Sequence, residues 1–263
     1  MTFQRTVTNR LAFLDKSTPP WAVWSVLIAI GVIWEGIVQL GWVSELYLPG
    51  PVSILAAAAV MASSGELFAN LQASLFRIAA GFAIGSIAGI MIGLLLGFSR
   101  LAEAVGNPIV HLLYPIPKIA LLPLIILWLG IGELSKVTII ALGVFFPVVI
   151  NTYSGVRHID VLLIKVAVSF KATPLSLVRK VILPGALPSI FAGLKLAAGS
   201  SLLLLVAAEM IAAKEGIGAL ILHYGDLMLT TKLMVGVLVL SLLGVLFNQL
   251  LHWLERRLLP WLP

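Results

Sequence analysis

The sequence predicts an all-α membrane protein with six transmembrane helices, on three observations. First, 60% of the 263 residues are hydrophobic and only 11% are charged. A water-facing domain carries about a quarter charged residues, so the solvent for most of this chain is lipid. Second, the apolar residues fall into six runs, each long enough to cross a bilayer core at about 1.5 Å per residue. Third, Lys and Arg lie mainly between those runs and mainly on one side, as topology signals do.

The runs are Trp21–Trp42, Ala69–Phe98, Ala102–Leu129, Leu134–Tyr153, Leu187–Ala212 and Leu233–Leu254. The first is too long for a signal-peptide core and lacks a small-residue cleavage site. It reads as a spanning helix despite Glu35. The Gly and Pro inside the runs are compatible with spanning helices, because neighbouring helices satisfy the backbone groups they free. Ahead of them, residues 1–20 are polar with a weak apolar rhythm at Phe3, Val7 and Leu11. That segment is either an amphipathic elbow on the membrane surface or a loosely ordered tail. Residues 21–263 form one transmembrane unit with no internal repeat or soluble domain.

With the N-terminus in the cytoplasm, the inside segments hold eleven basic residues: Arg5, Arg10, Lys16, Arg100, Arg157, Lys165, Lys171, Arg179, Lys180, Arg256 and Arg257. The outside segments hold three, Lys136, Lys214 and Lys232. This bias places both termini in the cytoplasm. The net charge of +6 is spread along these segments rather than gathered on one wet face, so nucleic acid is not an expected partner. The chain has no cysteine, which excludes disulfides, thiolate metal sites and cysteine nucleophiles.

Three features carry mechanism. Gly81, Gly85, Gly89, Gly93 and Gly97 recur every four residues, a bare helical face that lets another backbone approach closely. It is either an interface that shifts during transport or static packing within the subunit. Next, the inside segment 154–186 is too polar for lipid and too short for a domain. Thr173 and Pro174 make an N-cap and first-turn pair, and Leu175, Val178 and Ile182 follow at helical spacing. A short amphipathic helix ending at Pro184 is expected, its apolar face seated in a partner's groove. Last come the intramembrane charges Glu35, Arg77, Lys118, Lys195 and Glu209, which are costly in lipid and face cavities or partners. Arg77 and Glu209 lie at matching depth and either pair or serve as a gate or substrate contact. Lys118, after Tyr114-Pro115-Ile116-Pro117, either attracts an anion in transit or pairs with a carboxylate such as Glu35. Lys195 is read as snorkelling to the inner surface. His111, His158, His223 and His252 show no metal-ligand spacing, and no catalytic cluster is visible.

The inside segment resembles the coupling loop of ABC importer permeases, whose pattern reads Glu-Ala-Ala, three residues, Gly, nine residues, then Ile-x-Leu-Pro. Ala167 matches its third position, and Val181, Leu183 and Pro184 close it at the expected spacing. Lys165, Val166 and Lys171 stand where the family usually has Glu, Ala and Gly, and Lys171 is accommodated there if its backbone is not left-handed. The resemblance runs over roughly Leu48–Pro260, closest to permeases of nitrate, sulfonate, taurine and bicarbonate importers. It is carried by Leu48-Pro49-Gly50-Pro51, Ser74-Leu75-Phe76-Arg77, the run Leu122–Glu133, Phe146-Pro147, Leu183-Pro184-Gly185-Ala186-Leu187-Pro188 and Ala207-Ala208-Glu209-Met210.

The resemblance implies a type I ABC importer permease (MetI-like) with cytoplasmic coupling helices, multi-pass in a bacterial inner membrane. It implies a second permease copy as partner, expected as a homodimer, two cytosolic ATPase subunits and an extracytoplasmic substrate-binding protein. Lys165, Ala167, Lys171, Thr173, Pro174, Leu175, Val178, Leu183 and Pro184 become the expected ATPase-coupling residues, and Arg77, Lys118 and Glu209 the pathway candidates. The chain has no Gly-x-x-x-x-Gly-Lys-Ser/Thr loop, so it is expected to bind no cofactor, with ATP and Mg held by the ATPase subunits. Three cations against two carboxylates in the spans lean towards a small anion: nitrate, sulfonate or taurine, or bicarbonate. Thiamine pyrimidine precursors and aromatic carboxylates remain open. A stand-alone secondary transporter, the rival from outside this class, needs coupling carboxylates at mid-membrane, and only Glu35 comes near.

Overall fold

A computed structural model describes residues 20–261; the elbow reading of the N-terminal segment lies outside them. The described residues form helices only. They are α1 (Pro20–Gln39), α2 (Pro51–Ser63), α3 (Glu66–Phe98), α4 (Arg100–Leu113), α5 (Leu122–Leu129), α6 (Glu133–Arg157), α7 (Val161–Ser169), α8 (Pro174–Leu177), α9 (Leu183–Ala212), α10 (Ile217–Asp226) and α11 (Thr230–Leu258). Among the described residues, four helices are long and apolar enough to cross a membrane: α3, α6, the continuous rod Pro174–Ala212 and α11. A bent pair, Arg100–Leu113 with Lys118–Leu129, makes a fifth if it counts as one span, and α1, where the first of the six expected crossings falls, is a shorter apolar helix.

The core is a three-helix slab with α6 in the middle. Ile139, Ile140, Val144, Val148 and Val149 of α6 are fully or almost fully buried. On one side α3 lies against α6 through all five ladder glycines. A Cβ built on Gly81, Gly85, Gly89, Gly93 or Gly97 would come within 2.5–2.8 Å of Ile140, Ala141, Val148, Thr152 and Val156 respectively. The ladder is therefore contact between two helices of this subunit. On the other side α9 approaches through Gly193, whose Cβ would stand 3.1 Å from the Pro147 carbonyl. Small residues on both faces let the slab close without a water-driven collapse, which lipid does not supply. By contrast, α11 buries little of itself and lies at the periphery.

The expected single crossing Ala102–Leu129 is two helical pieces bent by 88°. Pro115 and Pro117 carry no N–H, so the helical bonds they would donate to the His111 and Leu113 carbonyls cannot form. The chain turns and restarts as a single 3₁₀ turn at Lys118–Leu121 that leads into α5.

The segment 154–186, expected on the inside, also differs from expectation. It holds two helices, α7 and α8, and the second does not stop at Pro184. A π turn at Val178–Ile182 joins α8 directly to α9. Pro184 cannot donate to the preceding turn, and its ring crowds the carbonyl four residues back. The wider π turn takes up that mismatch without ending the rod.

Candidate functional site

The helix pair α7–α8 is held at every end by its own side chains and backbone. Asp160 caps α7 by accepting from the Leu162 N–H at 2.8 Å. After Ser169 the chain closes with a left-handed residue, and that residue is Lys171, φ 56°. The Lys171 N–H donates to the Val168 carbonyl at 2.8 Å and the Ala172 N–H to the Ala167 carbonyl at 3.1 Å. This pair of bonds is a Schellman closure, in which the left-handed position is normally glycine. The condition under which Lys171 fits without cost is thus not met, and two hydrogen bonds hold the lysine there despite the steric cost. Thr173 then caps α8, accepting from the Ser176 N–H at 3.3 Å, with Pro174 in the first turn.

Burial divides the segment into two faces. Ile164 and Leu177 pack with Val156, Ile159, Ile182 and Ala186 into the near end of the slab. Ile182 is thus part of the subunit's own core rather than of a docking face, and Val178, Leu183 and Pro184 are half-buried. The face left open carries Phe170, 83% exposed, and Leu175, 66% exposed, with Val166 and Val168 beside them. Lys165 and Lys171 are exposed on the same segment, whereas Ala167 is half-buried. Phe170 escapes the sequence reading because it lies between the two helices, off any helical repeat.

At the opposite end of the slab is a buried charge cluster. Arg77, 3% exposed, donates to Glu209, 0% exposed, at 2.8 Å. It also makes a two-pronged contact with Glu133 at 2.6 and 2.7 Å and reaches the Glu215 carbonyl at 2.6 Å. Glu209 accepts from the Ser74 hydroxyl and, at 2.8 Å, from the Gly218 N–H at the start of α10. Lys136, read from sequence as an outside lysine, is buried and bonds Glu133 at 3.1 Å. Two cations thus meet two carboxylates, and each buried group is hydrogen-bonded, as burial requires. The chain comes so close here that a Cβ on Gly216, φ 129°, would overlap Glu209. A cleft of about 380 Å³ opens over Gln72, Arg77 and Glu133. Ser74 and Glu133 lie at the ends of motifs quoted above, but their meeting needs the three-dimensional fold.

Lys118 pairs with no carboxylate. Its ammonium donates to the backbone carbonyls of Tyr114 and Leu113 at the end of α4. It lies over the rings of Phe146 and Tyr114, 4.5 and 5.0 Å from their centroids. Glu35, proposed as its partner, instead accepts from Gln39 and from the Val52 N–H at the start of α2, 2.9 and 3.1 Å away. Carboxylates favour helix N-termini, and this one is claimed by α2. Lys195 pairs with Glu255 in the last turns of α11 at 2.5 Å. Among the described residues no group of acids and histidines has metal-site geometry.

The family model for the binding-protein-dependent transport system inner membrane component matches residues 85–260. The chain belongs to that family. It is 41% identical over 237 residues to the putative aliphatic sulfonates transport permease protein SsuC of Bacillus subtilis (strain 168), covering 90% of this chain and 85% of that one. The protein of the same description from Escherichia coli (strain K12) is 38% identical, covering 92% of both chains. The taurine transport system permease protein TauC of Escherichia coli (strain K12) is 35% identical, covering 89% of this chain and 87% of that one. Among solved structures, an inward-facing form of the MetNI methionine ABC transporter superposes with a TM-score of 0.62 at 22% identity, covering 72% of this chain and 94% of that one. The permease fold read from the sequence is therefore the fold observed, and the chain is a transport subunit rather than an enzyme.

Proposed function

We propose that this chain lines, together with a second permease copy, the inward path of a small organic sulfonate across a bacterial inner membrane. Two ATPase subunits sit on segment 161–182 and supply the energy, and an external binding protein delivers the cargo. One observation carries the reading. The capped helix pair α7–α8 exposes Phe170, in the turn between the two helices, and Leu175, on the rod that continues into the slab as α9. An unpartnered apolar face on a cytosolic handle implies a groove that receives it, and the rod transmits whatever moves that groove. Relatives described for aliphatic sulfonates and taurine favour a sulfonate over nitrate, bicarbonate or thiamine pyrimidine precursors. Both termini are assigned to the cytoplasm, and burial of Lys136 beside Glu133 leaves the outer segments with two basic residues in place of three.

The test is co-purification with the ATPase encoded beside this chain. F170D/L175D should lose the ATPase while the permease elutes unchanged. If that variant keeps its ATPase and still imports labelled taurine at the normal rate, the assignment of the handle is wrong.

A further inference from the structure

We propose that the cavity at the broken crossing is a way-station for the anionic head of the transported molecule, held by Lys118 and Ser200. The inference rests on the reading that this chain carries a small organic anion. The cavity measures about 310 Å³ and is lined by Tyr114, Lys118, Gly143, Pro147, Ser200 and Leu204. Gly143 and Pro147 lie near the middle of α6, and Ser200 and Leu204 lie past the middle of α9, so the space opens well inside the membrane.

The electrostatics single out this place. Arg77 and Lys136 are matched by Glu133 and Glu209 and Lys195 by Glu255, while Arg100, Lys232, Arg256 and Arg257, which form no ion pair among the described residues, stand in the terminal turns of their helices. Among the described residues Lys118 forms no ion pair. Its two hydrogen-bond partners are backbone carbonyls and its two ring neighbours are neutral. Carbonyls at a helix C-terminus and aromatic faces stabilise an ammonium without cancelling its charge. An ammonium has three N–H donors and two are engaged, which leaves one for a ligand. Hence a full positive charge stands at a cavity wall in a low-dielectric slab, where charge is expensive and as a rule functional. The Ser200 hydroxyl, on α9 at the same cavity, donates to the Ala197 carbonyl at 3.0 Å, and turning from that bond gives an anion a second donor.

The rest of the lining selects within anions. Leu204, Pro147 and the bare face of Gly143 offer no hydrogen-bond donors to a second charged group. The wall therefore suits one anionic head at Lys118 with an aliphatic stem against Leu204. That is the shape of an alkanesulfonate, and a small inorganic anion leaves the apolar wall unused.

The chain contains no cysteine, so S200C places a single thiol in this subunit at the cavity. In membranes holding the whole complex, S200C is treated with 2-sulfonatoethyl methanethiosulfonate or with its trimethylammonium counterpart, and the mass of this subunit is followed. The anionic reagent should react faster relative to a free thiol, and adding K118Q should lower the anion-to-cation rate ratio by about tenfold, as loss of one nearby unit charge predicts. K118R should keep the ratio. With Lys118 intact, taurine or propanesulfonate should slow the anionic reagent in S200C, a readout that does not depend on how K118Q folds. Equal ratios with and without Lys118, or a thiol closed to both reagents with and without ATP, would overturn the proposal. Wild-type uptake separates the two levels: a complex that imports neither sulfonate refutes the functional reading, whereas the labelling ratio still judges the cavity.

Discussion

Arg77 and Glu209 stand 132 positions apart in sequence and 2.8 Å apart in the fold, tying α3 to the end of α9. Neither side chain has an alternative partner in water, since both are buried. Glu209→Ala would leave the guanidinium half-paired, together with the Ser74 hydroxyl and the Gly218 N–H. Removing one side of such a buried pair costs about 3–5 kcal/mol. Thermal unfolding in detergent should show that loss for Glu209→Ala. Glu133→Ala should cost clearly less, because the Glu133 side chain is 49% exposed and water can replace it. Equal losses for the two would mean that Glu209 is not the anchor.

The glycine ladder makes an equally sharp prediction. Gly85→Ala sets a methyl 2.5 Å from the Ala141 carbonyl, a backbone atom with nowhere to go. Overpacking of this kind costs about 1–3 kcal/mol. Gly199 lies on α9 with nothing near its missing Cβ, so Gly199→Ala should stabilise the helix by about 0.5–1 kcal/mol. The two unfolding midpoints should move in opposite directions; a shift of both the same way would contradict the close approach of α3 and α6.

At Lys171 the left-handed backbone costs roughly 1–2 kcal/mol that a glycine avoids. Lys171→Gly should therefore leave the closure intact, whereas β-branched Lys171→Val is far less compatible with φ 56°. Hydrogen exchange at the Lys171 and Ala172 amides reports the two closing bonds directly. Exchange should quicken by about tenfold in Lys171→Val, the factor that 1.4 kcal/mol represents, and stay near wild type in Lys171→Gly. Unchanged exchange in both would show that the closure does not depend on the residue at 171.

Tyr224, on α10 outside the crossings, donates its hydroxyl to Glu66 at 2.5 Å. Burial first, and the Glu66 carboxylate second, push its phenol up to about 12. A raised value means that the fold favours the protonated form. The contribution is complete below the ordinary tyrosine value of about 10 and fades as pH climbs towards 12. The alkaline side of the stability curve should therefore flatten in Tyr224→Phe relative to wild type. Identical alkaline slopes would show that the Tyr224–Glu66 bond contributes nothing there.

The outline of this fold is legible in the chain because lipid imposes a one-dimensional rule, about twenty apolar residues per crossing. Gly81 to Gly97 could be read as a packing face because a four-residue step is a local property of one helix. The break at Pro115 and Pro117 was visible only as loosening; whether prolines kink a helix or part it depends on what fills the freed space, here Lys118. The pairing of Arg77 with Glu209 followed from matching depth, whereas Glu133 and Lys136 were hidden by their place at a span boundary, where charge needs no explanation. Lys118 and Glu35 were joined on charge alone, and the backbone ends that hold each of them leave no mark in composition. Continuity through Pro184 was illegible because sequence rules treat proline as a stop, and the π turn that absorbs it is a tertiary accommodation.

The rod Pro174–Ala212 has 39 residues and is a single mechanical part. Leu175, near its wet tip, and Ser200, in the wall of the cavity, are about 38 Å apart along its axis at 1.5 Å per residue. Under the two proposals above, grip at one and ligand contact at the other share a beam that carries the π turn and Pro188 between them. A tilt of the tip is then expected to change the width of the space beside Lys118 with no relay of intermediate side chains.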